Sequence, residues 1–235
     1  MSDPAPLYTV AAAEQIVKDR FRTWRIPTTA PINIDQVVAC LDASVEAMPF
    51  IKAKLKVEAF ITRIRSGYRR KFMVYVDTEI IDGATNYLRL VLAEEASHLL
   101  VDEATVGAVK TFDGTLQIHS NPMWHELERN REMIGRVMLA PFELLRQVLI
   151  KEYASCVREH GFLLLPIEIA IAKRLVMPVD QVRLRLRECN GNLNDLLNFS
   201  LLSRSEKLRS LYDDDAIVEK KPKSTLEWEQ KPLFY

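Results

Sequence analysis

The strongest constraint on this chain is a double change of hydrophobic period, from helical to two-residue and back to helical. Residues 9–24 carry Ala12, Ile16, Val17, Arg20 and Trp24 at helical spacing, and Ile26-Pro27 ends the run. A turn over 28–31 leads to a second helix over 35–41. Extended patterning follows at 44–48. Leu55, Val57, Ala59 and Ile61 then alternate with Lys56, Glu58, Phe60 and Thr62, the pattern of a half-buried strand. Ser66-Gly67-Tyr68 reads as a turn and 71–77 as another strand, so the middle section predicts a small, mostly antiparallel sheet. From Asn86 the helical period returns, with Leu88, Val91, Leu92, Ala96 and Leu99 on one stripe. Residues 101–121 read as loop and hairpin, 123–139 and 144–160 as long helices around Pro141, and 165–197 as further helical pieces. The order predicts an α+β fold.

With 235 residues, 48% of them apolar, the chain is long enough for one substantial domain and a smaller unit. The expected boundaries are 1–148, a helical unit at 149–202 and a disordered, charge-rich tail at 203–235. Seven glycines and the lack of GxxxxGKS/T or GxGxxG patterns exclude the common phosphate-binding loops. Cys40, Cys156 and Cys189 have neither disulfide-framework nor zinc-site spacing, which points to a reducing compartment. The N-terminus has no secretory pattern, and Pro166 and Glu168 interrupt the most apolar stretch. A cytoplasmic protein without a membrane segment is expected.

Only four histidines are available for imidazole chemistry. His98 closes the string Ala93-Glu94-Glu95-Ala96-Ser97-His98 on the predicted helix, where positions i and i+4 share a face. Glu94 and His98 therefore occupy the two ligand positions of an HExxH zinc helix, with Glu95 where the water-polarising carboxylate belongs. Glu128 opens E-x-x-R-E-x-I-G-x-x-M-L-A-P, which ends at Pro141. His125, three residues earlier, faces the same side and is a candidate substitute ligand. His119 falls in the loop before that helix, and His160 suits a helix C-terminus. A di-iron carboxylate site is excluded because it needs two suitably placed ExxH pairs.

Together these segments resemble the ImmA/IrrE family of metallopeptidases. Residues 89–100, RLVLAEEASHLL, are similar to its R-F-T-L-A-H-E-L-G-H-L-L, and 128–141 to its E-x-x-A-N-x-F-A-x-x-L-L-M-P. Glu128 and Pro141 match in identity and spacing. Gly135 stands for the small residue, Ile134 for the aromatic and Met138-Leu139 for the apolar pair, while Arg131, Glu132 and Ala140 depart. The segments VYVDTEIIDGATNY and PINIDQVVACL also resemble the family, so the likeness covers roughly residues 9–145. It implies a zincin-like domain in which His98 and Glu128 hold a metal and Glu95 is the general base. Glu94 stands where the family has its other ligating His. A Glu₂His set neutralises a divalent ion formally, where His₂Glu leaves one positive charge. That weakens acidification of bound water and shifts preference from Zn²⁺ toward Mn²⁺. The implied activity is cleavage of a partner helix-turn-helix transcriptional repressor, in stress response or mobile-element control. The alternative is an inactive pseudo-peptidase that binds such a partner.

Two further features suggest contacts. Eight basic residues and one acid lie between Ile51 and Lys71, whereas Asp77 to Glu103 holds seven acids and one base. The equal totals of 32 basic and 32 acidic residues thus hide a segregated charge pattern suited to a protein partner. Residues 171–186 resemble a helix-turn-helix core, with Val176 in place of the turn's usual glycine. Arg183 and Arg185 would be its DNA-phosphate contacts, a third reading that makes the chain a DNA-binding factor.

Overall fold

The structure is a computed structural model, and it describes residues 8–64, 71–101, 122–160 and 164–189. Those residues lie in one compact unit, Met1–Gly191; the second unit, Asn192–Tyr235, lies outside them, as do the predicted tail and, apart from Val101, which is helical, the predicted loop and hairpin at 101–121. The unit is α+β. Its elements are α1 (Val10–Trp24), α2 (Ile34–Cys40), β1 (Ala43–Met48), α3 (Ile51–Leu55), β2 (Ala59–Arg63), β3 (Phe72–Asp77), α4 (Thr78–Ile81) and α5 (Thr85–Val101). After these come α6 (Pro122–Leu139), α7 (Phe142–His160), α8 (Leu164–Leu175) and α9 (Val179–Glu188). No described helix is long and apolar enough to cross a membrane.

Local chemistry explains most of the boundaries. Thr9 caps α1 by accepting from the Ala12 N–H, and Asn33 caps α2 by accepting from Gln36. The buried face of α1 is Ala13, Val17 and Phe21, one step round from the stripe read in the sequence. The face is set by what α1 packs against, which is α6.

The sheet is mixed rather than mostly antiparallel. Its order is β1-β3-β2, with β1 parallel to β3 from Ala43↔Phe72 to Met48↔Asp77 and β2 antiparallel from Ala59↔Val76 to Arg63↔Phe72. The expected long strand from Leu55 is also corrected. Residues 51–55 form α3, Lys56 ends it in the left-handed region at φ 61°, and β2 starts at Ala59. Ala59, Phe60 and Ile61 are all buried, so the two-residue alternation does not report exposure there. The reason is α3, whose Ile51 and Leu55 cover Phe60 in a small core that includes Tyr75.

Helix α5 lies at the centre. It packs against β2, α2 and α4, and most extensively against α6. Leu90 to Ala93 and Ala96 to Leu99 are buried, which is nearly every face rather than one stripe. From α6 and the following turn, Ile134 and Val137 to Ala140 contribute fully buried side chains. Both candidate site motifs therefore sit on the most deeply packed pair of helices.

Candidate functional site

Helices α5 and α6 meet closely because Gly135 has no side chain. A Cβ there would lie 3.1 Å from both Cγ and the backbone N of Glu94, and 3.2 Å from the Ala93 carbonyl carbon. One turn further along α5, His98 Nε2 stands 3.7 Å from Glu128 Oε2, two turns back along α6. The helices are thus antiparallel, with Glu94 level with Gly135 and His98 level with Glu128. His98 is buried, and Glu94, Glu95 and Glu128 are partly buried.

This packing makes the ionised carboxylates costly. The Glu94 carboxyl is pushed up to about 8, by burial first and then by Glu132, with Arg136 opposing and Glu58 and Glu128 adding smaller repulsions. Burial, then the charges of Glu128 and Glu94, push Glu95 up to about 8 against the pull of Arg131. Glu128 rises to about 7 through burial, although Arg131 opposes by charge and through a 3.2 Å hydrogen bond. Arg131 is only 2% exposed, so its guanidinium serves this cluster from within the packed interior.

The local sequence motif leaves out part of the centre. Glu132 is the main charge neighbour of Glu94, and Arg136, 3.9 Å from Glu132, also binds Glu188 of α9 at 2.7 Å. The i, i+4 spacing of Glu128 and Glu132 was the available signal. Glu58, a smaller repulsion on Glu94, accepts from the Tyr87 hydroxyl and from Lys52 Nζ at 3.0 Å. Burial and that Glu58 contact raise the Tyr87 phenol above its usual range. The side chain of His125, on α6, and all of His119 lie outside the described residues.

Among the described residues no group of three or more His, Cys, Asp or Glu side chains is placed to hold a metal ion. The nitrogen of His98 and the carboxylate of Glu128 are, as a pair, donors of the kind a divalent cation takes. Two ligands about 2.1 Å from a tetrahedral ion stand about 3.4 Å apart, close to the observed His98–Glu128 separation. A cation beside His98 and Glu128 would also favour the ionised carboxylate that burial disfavours.

The helix-turn-helix-like segment is α8, a turn and α9. Val176 holds the turn in the left-handed region at φ 52°, where glycine is usual. Ala172, Met177 and Val182 are buried. Arg185 is fully buried, donating to the Ala140 carbonyl at 3.0 Å and pairing with Glu14 and Glu188. That removes it from any surface a phosphate can reach. Arg183 grips the buried carboxylate of Glu168 through Nε and a terminal nitrogen, the latter at 2.7 Å. The expected DNA contact by Arg185 is therefore corrected by its burial, whereas Arg183 remains 42% exposed while it pairs with Glu168. No protein-family model matches the chain, and no curated protein matches its sequence.

Proposed function

We propose that the chain is a metallopeptidase-like regulator of the ImmA/IrrE type, working in the cytoplasm on a helix-turn-helix transcriptional repressor that it cleaves or binds. The pairing of His98 with Glu128 across α5 and α6 carries this reading, because two motifs about thirty residues apart converge within 3.7 Å. His98 and Glu128 would hold Zn²⁺ or Mn²⁺, with Glu94 as the third donor. When bound, such an ion acidifies water and polarises a carbonyl.

The remaining steps belong to protein groups. A Glu95 carboxylate oxygen accepts the proton of the attacking water and returns it to the leaving amine. Arg131 favours the ionised form of Glu95 and holds Glu128 by hydrogen bond. The test is incubation of metal-loaded protein with a proteome-derived peptide library, read by mass spectrometry for new termini. Wild type should generate them, and Glu95→Gln should lose about 10²–10⁴-fold in rate. Equal products from both proteins would reject Glu95 as the base.

The placement of Glu94 favours a second reading, a pseudo-peptidase that only binds its partner. Glu94 replaces an imidazole, and its main charge neighbour is another carboxylate, Glu132. Cleavage by Glu94→His but not by wild type would select that reading.

A further inference from the structure

Two buried arginines on α6 serve the carboxylates of the α5–α6 crossing, and they behave differently. Arg131 closes on its neighbour, with Nη1 3.2 Å from Glu128 Oε1. Arg136 does not. It follows Gly135, where α6 lies against Glu94, yet its Nη1 stays 3.9 Å from Glu132 Oε2. The Glu94 carboxylate feels it by charge alone and, among the described residues, has no hydrogen-bond or ion-pair partner. A partly buried carboxylate left unpaired beside a buried guanidinium needs a reason, because charge-assisted pairing there is strong.

The reason lies in α9. Glu188 Oε1 accepts from Arg136 Nε at 2.8 Å and stands 2.7 Å from Nη2, while Gln181 Oε1 accepts from Nη1 at 3.3 Å. Every nitrogen of the guanidinium is thus engaged from α9. Glu188 is itself fixed. Its other oxygen pairs at 3.5 Å with Arg185, which is fully buried, bonded to the Ala140 carbonyl and paired with Glu14. Five side chains therefore alternate in charge from α1 through α9 to α6: Glu14, Arg185, Glu188, Arg136 and Glu132. The chain stops short of Glu94.

We infer that Glu188 and Gln181 are positioning residues: by holding Arg136 to α9 they keep its guanidinium from pairing with Glu94, which stays available as a donor to a cation. The inference rests on the proposed reading in which Glu94 is the third donor beside His98 and Glu128. Once Glu188 loses its charge, the carboxylates left beside Arg136 are Glu132 and Glu94. A guanidinium closed on Glu94 competes with a metal ion for the same oxygens. The helix-turn-helix-like hairpin thereby serves the candidate centre from within the unit.

Isothermal titration calorimetry with Zn²⁺ on the full chain tests this as a double-mutant cycle. Glu188→Gln keeps the shape of the side chain, removes its charge and should weaken Zn²⁺ binding at least about tenfold. Arg136→Gln removes the competitor and should bind at least as tightly as wild type. The double variant should return to within about threefold of Arg136→Gln, a rescue that a merely structural loss cannot give. If Glu188→Gln fails to fold, Gln181→Ala, which frees only Nη1, should show a smaller loss rescued by Arg136→Gln in the same way. Undiminished binding by Glu188→Gln, or a double variant as weak as Glu188→Gln alone, would overturn the inference and leave the metal reading intact. Absence of Zn²⁺ binding in every protein, wild type included, would overturn both.

Discussion

Val176 and Arg185 sit nine residues apart, and their stability consequences are opposite. At φ 52° the valine side chain crowds its own backbone, at a cost of about 1–2 kcal/mol. Its carbonyl still accepts from Arg89 Nε at 3.2 Å, a contact that needs no side chain. Val176→Gly should therefore raise stability by about 0.5–1 kcal/mol in urea titration, net of glycine's larger unfolded-state entropy. Arg185 is the reverse case. Its partner Glu14 also accepts the Phe142 backbone N–H at 3.1 Å, so one carboxylate joins α1, the start of α7 and α9. Arg185→Met leaves that carboxylate without its cation and should cost about 3–5 kcal/mol. A change within about 0.5 kcal/mol, the usual effect at a surface position, would contradict the buried role.

At the scale of elements, the decisive contact is the α5–α6 crossing. Gly135→Val would force side-chain atoms against the Glu94 backbone, which has no freedom to yield, so overpacking should cost about 1–3 kcal/mol. The same variant should weaken any cation binding that depends on the two helices keeping their separation. The sequence makes these two helices legible because helical period and carboxylate spacing are local properties of each segment. Glu132 and Arg136 are hard to place from it because their importance arises only where α6 lies against Glu94. Helix α3 is hidden for a similar reason. Its backbone depends on Asp77, twenty-five residues away, and on burial of Ile51 and Leu55, while its own residues alternate like a strand. The parallel pairing of β1 with β3 likewise depends on an intervening segment that reads as one continuous strand. For Arg185, a basic helix face looks solvent-exposed until Glu14, distant in sequence, supplies the buried partner.

Over the whole unit, the raised carboxyl groups make stability depend on pH and on cations. Glu94 and Glu95 near 8 and Glu128 near 7 all lie above the ordinary value of 4.5. The folded protein therefore holds protons that the unfolded chain releases. The stability these groups contribute is fully present below about 4.5 and is lost as pH rises through 7 to 8. Without added metal, the melting temperature should thus be higher near pH 5.5 than near pH 8, as differential scanning calorimetry would record. A cation bound at His98 and Glu128 should reduce that difference by compensating the same charges. Isothermal titration calorimetry of the purified protein with Zn²⁺ and Mn²⁺, alongside Glu128→Ala, tests the centre most directly. Saturable binding of one ion per chain is expected, weakened at least about tenfold in Glu128→Ala. No binding of either ion, or equal binding by the variant, would contradict it.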